Sequence, residues 1–325
     1  MNRSGSRKDG NVMQVLVPDF WVPMLEAEAV RRGISVTWVA YAEGRTGPFP
    51  GVEVFLRAEG ARQWQEAFAA APDVRYFHTT SAGVDGILPL VAPRGITLTE
   101  SGTVYRIAMG EFALALMLFA AKRLGEHYEN FQAGRWQPLV HGELAGQTCG
   151  IIGLGPVGLG VAERAAAMGM RVIGCRRNGQ PAERVADVVP PAGLGRLLRE
   201  SDYVVLACPL TPETRRLVGA EALAQMKRSA VLINIARGGL VDTHALAAAL
   251  KAGRIGGACL DVTEPEPLPP NHALRHLPNV FLTPHIAPGD AKPLLRRKLE
   301  LFLENLSRYL RGEPLLNLVD PARGY

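Results

Sequence analysis

Residues 148–152 form a short apolar run that leads straight into Gly153-Leu154-Gly155-Pro156-Val157-Gly158, and an amphipathic stretch then continues to Met168. No other feature of the chain restricts its fold as tightly. Glycines at the first, third and sixth positions of such a loop mark a tight turn, a close approach of a pyrophosphate to the backbone, and a close helix–strand contact. Each of these excludes a side chain. The N-terminus of the following helix offers unpaired N–H groups and a positive dipole end to an anion. A lone G-x-G-x-x-G means little in a chain with 35 glycines. Its place between a buried strand and a helix separates this one from an ordinary βα turn.

Short β-rich runs alternate with helical patterns along most of the chain, which predicts α/β architecture with parallel sheets. Strands are expected at 12–17, 35–39, 53–56, 74–79 and 96–99, with helices at 23–32 and 62–70. A long apolar helix at 107–124 follows as the candidate crossing between domains. A second series then runs through strands at 148–152, 171–174, 203–207, 230–235, 257–261 and 280–283. Residues 292–311 carry Leu295, Leu299, Phe302, Leu303, Leu306 and Leu310 at helical spacing and stop at Gly312, a long terminal helix returning to the first domain. The expected division is 1–99 with 292–325 as one domain and 100–291, inserted in it, as a dinucleotide-binding domain. The cleft between them would close on its ligands.

Composition narrows the class further. With 47% hydrophobic and 21% charged residues the chain is a packed globular protein. Thirty-six Lys and Arg against 31 Asp and Glu leave +5, too small an excess for a dedicated nucleic-acid binder. The polar, basic 1–11 reads as a frayed tail or an added remnant rather than a secretory signal. The longest uninterrupted apolar stretch, 112–121, is half of the ~20 residues a membrane span needs. A cytoplasmic protein with no membrane partner is expected. Cys149, Cys175, Cys208 and Cys259 sit singly and read as thiols in a reducing compartment, with no metal site.

At the end of the strand after the glycine loop, where a ribose-binding Asp or Glu is usual, stand Arg176 and Arg177. Guanidinium groups hold a 2′-phosphate that a carboxylate would repel. NADP(H) is therefore favoured, with NAD(H) as the other possibility.

Several ordered stretches carry a family resemblance: Leu144-Ala145-Gly146-Gln147-Thr148, Pro209-Leu210-Thr211-Pro212-Glu213-Thr214, Asn234-Ile235-Ala236-Arg237-Gly238-Gly239, Leu260-Asp261-Val262, Glu266-Pro267-Leu268-Pro269 and Pro284-His285. Together with Ser81-Ala82-Gly83-Val84-Asp85 they resemble the D-isomer-specific 2-hydroxyacid dehydrogenases, most nearly the glyoxylate/hydroxypyruvate reductase-like members. The first 75 residues carry little of the signature. The resemblance implies a Rossmann domain inserted in a flavodoxin-like substrate domain, and a homodimer formed through the nucleotide-binding domain by the apolar helix and 131–140. It further implies NAD(P)H-dependent reduction of a small 2-oxo acid to the D-2-hydroxy acid.

The family's catalytic Arg, Glu and His fall on Arg237, Glu266 and His285. The chemistry asks for these types independently. A planar guanidinium grips a carboxylate with two parallel hydrogen bonds and polarises the neighbouring ketone. Hydride arriving at the ketone carbon leaves an alkoxide, and a His can protonate it near neutral pH. A carboxylate on the other ring nitrogen fixes the imidazole. Glu264 stands two residues from Glu266, and the Pro267-Leu268-Pro269 run favours Glu266 for that role. Cofactor contacts are expected from Gly153, Gly155, Pro156, Val157, Gly158, Arg176, Arg177, Cys208, Pro209, Thr214, Ile235, Ala236 and Asp261, the last on the nicotinamide carboxamide. Substrate contacts are expected from Arg237, His285, the backbone of Ala82, Gly83 and Val84, and Arg57 as a second cation. His78, His272 and His276 are assigned no role.

Two departures from the family stand out. Ile286-Ala287-Pro288-Gly289-Asp290 replaces the usual small residues and Thr after the His, and proline removes an N–H donor. Met109-Gly110-Glu111 replaces the usual sequence of the apolar helix. Two other readings remain open at this point. NAD(H)-sensing corepressors share the fold and the triad, but tend to carry long extensions, whereas this chain ends within six residues of Val319. A dehydrogenase of a phosphorylated 2-hydroxy acid would make use of Arg57 and is expected to carry an added regulatory domain.

Overall fold

A computed structural model describes residues 12–289 and 292–324, so the expected tail at 1–11 and Asp290 lie outside the described residues. The chain forms two compact units, one ending at Val104 and resuming after Gly289, the other spanning Tyr105–Gly289.

The first unit holds strands β1 (Gln14–Pro18), β2 (Thr37–Tyr41), β3 (Val52–Arg57), β4 (Tyr76–Thr79) and β5 (Thr97–Thr99). All pair in parallel, in the order β2-β1-β3-β4-β5. This is the doubly wound order 2-1-3-4-5 of flavodoxin-like sheets. Central strands of such a sheet are covered on both faces and read as unbroken apolar runs. Val15, Leu16 and Val17 accordingly have no exposure. On one face Phe55 stacks between Tyr41 and Phe77 at 5.3 and 5.0 Å, with Phe68 edge-on to both Phe55 and Phe77. On the other, Phe302, Leu303 and Leu306 of the terminal helix Lys292–Arg311 pack with Val15, Val17, Trp21 and Leu25. The apolar spacing of that helix thus returns the end of the chain to its first sheet.

The second unit holds β6 (Thr148–Ile152), β7 (Arg171–Cys175), β8 (Asp187–Val189), β9 (Tyr203–Leu206), β10 (Val231–Asn234), β11 (Gly257–Leu260) and β12 (Val280–Leu282). They form one parallel sheet ordered β12-β11-β10-β9-β6-β7-β8. The order reverses at β6, which places the glycine loop at the topological switch point. Strand β8 was not expected: three residues on a sheet edge, running into Pro190-Pro191, are too short for a period-two signal.

The apolar helix also differs from expectation. It runs Arg106–Ala121, and Arg123 takes a left-handed conformation (φ 51) before a separate helix, Leu124–Gln132. The Arg123 guanidinium caps this break by donating to Val140 O and to Glu126. The helix lies wholly in the second unit rather than crossing between the two. Its Gly110 explains the departure at Met109-Gly110-Glu111. A Cβ on Gly110 would stand 2.5 Å from Gly160 O, and one on Gly160 would stand 2.1 Å from Arg106 O. The helices Arg106–Ala121 and Pro156–Ala167 therefore meet backbone to backbone. Continuous with a preceding turn, 102–121 is long and apolar enough to cross a membrane by length and composition, although no uninterrupted apolar run in the sequence reached that length. Its small-residue face is taken up by this helix contact.

Beneath the end of β4 lies a buried polar chain. Thr99 Oγ1 contacts both Tyr76 Oη (2.9 Å) and His78 Nδ1 (2.7 Å), and Ser101 Oγ donates to Thr79 O and meets His78 Nε2. Burial pushes His78 down to about 3, so the ring is neutral. The adjoining Glu100 carboxyl is pushed up to about 7 by burial, against the Gly102 N–H it accepts, which favours the charged form. Below pH 4.5 the group is protonated in both states. As pH rises through 7 the folded chain must ionise a buried acid, and stability is lost across that window. Glu100→Gln keeps an acceptor for Gly102 without the charge. It is expected to match the parent in denaturant unfolding at pH 4 and to be more stable at pH 8 by on the order of 2 kcal/mol.

Candidate active site

The glycine loop has the geometry its spacing predicts. Gly153 sits at φ 101, and a Cβ there would meet the Ala207–Cys208 peptide at 2.6 Å. A Cβ on Gly158 would fall 1.9 Å from Gly153 O, so the helix start rests on the strand end. Gly155, the N-cap, has open space around it, and Pro156 occupies the first helical turn, where no N–H is missed. Two glycines are spent on packing and the third leaves room for a ligand over the helix N-terminus, a cradle that fits a dinucleotide's pyrophosphate.

Arg176 and Arg177 follow β7. Arg176 donates from its backbone to Val189 O and from Nε to Asn178 Oδ1, and Arg177 is exposed. No carboxylate occurs from Ile173 to Ala182. After β9, Thr214 Oγ1 donates to Pro209 O at 2.7 Å and accepts from Thr211 N at 2.8 Å, closing the loop that follows Cys208.

Arg237, Glu266 and His285 follow β10, β11 and β12, on the loops at the carboxyl ends of adjacent strands. Asn234, fully buried at the end of β10, braces the first of these loops: Nδ2 donates to Arg237 O and Oδ1 accepts from Ala236 N. Ile235 and Ala236 are thereby fixed in a turn that delivers Arg237. Gly238 must be glycine here, since a Cβ would lie 2.0 Å from Thr263 O. That contact presses the Arg237 loop against the one bearing both glutamates. Of the two, Glu264 is taken by Arg215 at 3.0 and 3.1 Å, while Glu266 Oε1 lies 2.7 Å from His285 Nδ1. Glu266, and not Glu264, is thus the glutamate in contact with His285. Both partners are half-exposed, at 46% and 42%, open to a reactant.

Asp261 is 2% exposed and is spoken for by the His285 loop. Oδ1 accepts from Thr283 Oγ1 (2.6 Å) and Ile286 N (2.8 Å), Oδ2 from Ala287 N (2.9 Å), and its backbone oxygen from His285 N (2.9 Å). His285 itself sits at φ 54, a left-handed conformation uncommon outside glycine. Asn234 entered the sequence reading only within a family-like stretch and Thr283 only as the end of an expected strand, because neither carries chemistry of its own.

In the first unit, Ala82, Gly83 and Val84 follow β4. Ser81 O accepts from Ser101 N at 3.0 Å, and Arg57 donates to Thr79 Oγ1 at 3.1 Å and to Ser81 Oγ. Arg57 also lies 5.2 Å over the Trp64 ring. The loop base is held from the β3 and β5 sides, and His78, to which the sequence gave no role, forms part of that support through Ser101. The cysteines are free. Cys149, Cys175 and Cys259 are buried in β6, β7 and β11, and burial raises all of them and the half-buried Cys208. Among the described residues no group of three or more His, Cys, Asp or Glu could hold a metal ion.

Comparison with known proteins gives consistent matches. The family model for the NAD-binding domain of D-isomer-specific 2-hydroxyacid dehydrogenases matches residues 114–287. A glyoxylate reductase of Korarchaeum cryptofilum is 40% identical over 265 residues, 78% of this chain and 79% of that protein. A glyoxylate/hydroxypyruvate reductase B of Pectobacterium carotovorum is 40% identical over 77% of this chain and 80% of its own. Among solved structures, a D-isomer-specific 2-hydroxyacid dehydrogenase of Xanthobacter autotrophicus in complex with NADPH is 34% identical, with a TM-score of 0.83 over 97% of this chain and all of that one. An NADPH-dependent glyoxylate/hydroxypyruvate reductase of Sinorhizobium meliloti in complex with NADP is 30% identical, with a TM-score of 0.81 over 96% of this chain and all of that one.

Proposed function

The chain belongs to the D-isomer-specific 2-hydroxyacid dehydrogenase family, and on that premise we propose that it reduces a small 2-oxo acid of the glyoxylate or hydroxypyruvate type to the D-2-hydroxy acid, with NADPH as the preferred reductant. The observation that carries this reading is the 2.7 Å pair of His285 Nδ1 and Glu266 Oε1, which joins the loops after β12 and β11, the latter neighbouring the loop that delivers Arg237. Gly153, Gly155, Pro156, Val157 and Gly158 would hold the pyrophosphate, Arg176 and Arg177 the adenosine phosphate, and the loops at Cys208, Pro209, Thr214, Ile235 and Ala236 the remainder. When bound, the nicotinamide supplies hydride to the ketone carbon.

Arg237 takes the substrate carboxylate in two parallel hydrogen bonds and draws electron density from the adjoining ketone, so charge builds on the oxygen where it is needed. Glu266 accepts from Nδ1–H, which orients the ring, and the Nε2–H of the imidazolium gives its proton to the alkoxide. In the reverse direction the same nitrogen takes the proton back. The backbone of Ala82, Gly83 and Val84 offers further donors to a carboxylate, and Arg57, locked on Ser81, adds positive charge beside them. A corepressor-like protein shares this triad, and turnover of NADPH with a panel of 2-oxo acids separates the two readings. The exposed apolar side chains Leu124, Tyr128, Phe131, Trp136 and Val140 fit a homodimer interface.

His285→Ala is expected to lower kcat by about 10² to 10⁴-fold through lost proton delivery. Glu266→Gln should leave slow turnover with a displaced pH optimum, and Arg237→Ala should nearly abolish activity. Wild-type rates for His285→Ala in steady-state assays would overturn the mechanism. Each well-formed hydrogen bond from a guanidinium to the 2′-phosphate is worth roughly 1.5 to 3 kcal/mol, about 10 to 150-fold in affinity. NADPH should therefore bind more tightly than NADH, and Arg176→Asp should weaken NADPH far more than NADH in titrations at low salt. Light scattering at micromolar concentration should return twice the chain mass, and replacing Trp136 and Val140 by Ser should shift it toward the monomer.

A further inference from the structure

We propose that Asp261 is a positioning residue for His285, holding the proton-transfer loop in its strained conformation through three bonds to its side chain. A carboxylate 2% exposed is costly unless its lone pairs are satisfied, and here the satisfying donors all come from one segment. Thr283 Oγ1 donates from two residues before His285, and Ile286 N and Ala287 N from the two residues after it. The backbone of Asp261 adds a fourth tie, accepting from His285 N itself. A left-handed φ of 54 at a non-glycine residue persists only where the surroundings over-determine it. These four bonds are that over-determination. They bracket His285 on both sides and set where its ring stands relative to Glu266, whose own contact fixes only one nitrogen.

The charge matters as well as the shape. Oδ1 and Oδ2 both accept, so an amide in this place presents an NH₂ group to at least one N–H or O–H donor, and that donor is left buried and unpaired. The loop then relaxes toward an ordinary backbone conformation and His285 leaves its place beside Glu266. Thr283 supplies an independent handle, since replacing it by Val removes one donor to Oδ1 at nearly constant volume.

The proposal rests on His285 being the proton donor, and the test reads it in two ways so that the failure of either idea can be seen. Hydrogen exchange of 282–289 in the protein without cofactor reports the clamp, and steady-state kinetics with NADPH titration report its consequence. Asp261→Asn is expected to speed exchange of the Ile286 and Ala287 amides by at least ~10-fold and to lower kcat by about 10 to 100-fold. Thr283→Val should do the same in smaller measure, about 3 to 10-fold in kcat, and the double variant should be no worse than Asp261→Asn alone, the signature of two residues acting through one contact. NADPH affinity falling tenfold in Asp261→Asn with exchange unchanged would assign the carboxylate to the cofactor and overturn the proposal. So would parental exchange and kcat in Thr283→Val, a variant that also stands in if Asp261→Asn fails to fold. Faster exchange with no loss of kcat in either variant would also overturn the proposal, since the clamp would then not govern proton transfer, while His285→Ala tests the proposed reaction separately.

Discussion

The second unit depends on a contact that admits no atoms: the approach of Gly158 to the carbonyl of Gly153, where even a methyl group would fall 1.9 Å from the oxygen. It seats the helix Pro156–Ala167 on the end of β6, aims that helix's N–H groups at the switch point of the sheet, and fixes the height at which the neighbouring loops must end. The same helix meets Arg106–Ala121 through Gly160 and Gly110, again backbone on backbone. Two helices and a strand are thus locked without side chains between them, which leaves the carboxyl edge of the sheet rigid where precise placement is needed.

On that edge the loops are held by buried polar groups as well as by hydrophobic packing. Asn234 spans the turn before Arg237, Gly238 lets that turn lie against Thr263, and Asp261 gathers the segment around His285. The first unit uses the same device in neutral form, where His78, Thr99 and Ser101 support the Ser81 loop without a formal charge. Directional bonds suit this task, because a hydrogen bond misplaced in a buried site leaves an unpaired group and costs about 1–3 kcal/mol, whereas an apolar contact shifts more cheaply.

Much of this was legible in the sequence where a residue type has only one physical use. Glycines 153, 155 and 158 demanded a turn, an opening and a close contact, and the spacing of Leu295 to Leu310 demanded a long helix. Elements whose signal is shared among neighbours were not legible. Strand β8 is held by its partner β7 rather than by its own pattern. The end of the helix at Ala121 is set by Arg123 reaching Val140, seventeen residues away. Asn234, though part of a family-like stretch, and Thr283, at a strand end, had no role until their partners were placed. Glu264 and Glu266 are alike in sequence, and only Arg215 on one side and His285 on the other distinguish them.

The proline after His285 illustrates how a departure from a family pattern is absorbed. Ile286-Ala287-Pro288-Gly289 loses one N–H at Pro288, and the question is whether the loop needs it. The two N–H groups that reach Asp261 belong to Ile286 and Ala287, and the turn is closed by Gly289 N on Ile286 O at 2.9 Å. Position 288 is the one place in the segment where no donor is called on, and proline's fixed φ narrows the unfolded chain's freedom there. The substitution therefore leaves intact the clamp that orients His285. What it changes is the surface beyond, where the half-exposed Ile286 stands in place of a small residue and adds apolar area next to the imidazole. A difference in this loop thus alters its exposed surface and not the bonds that hold His285.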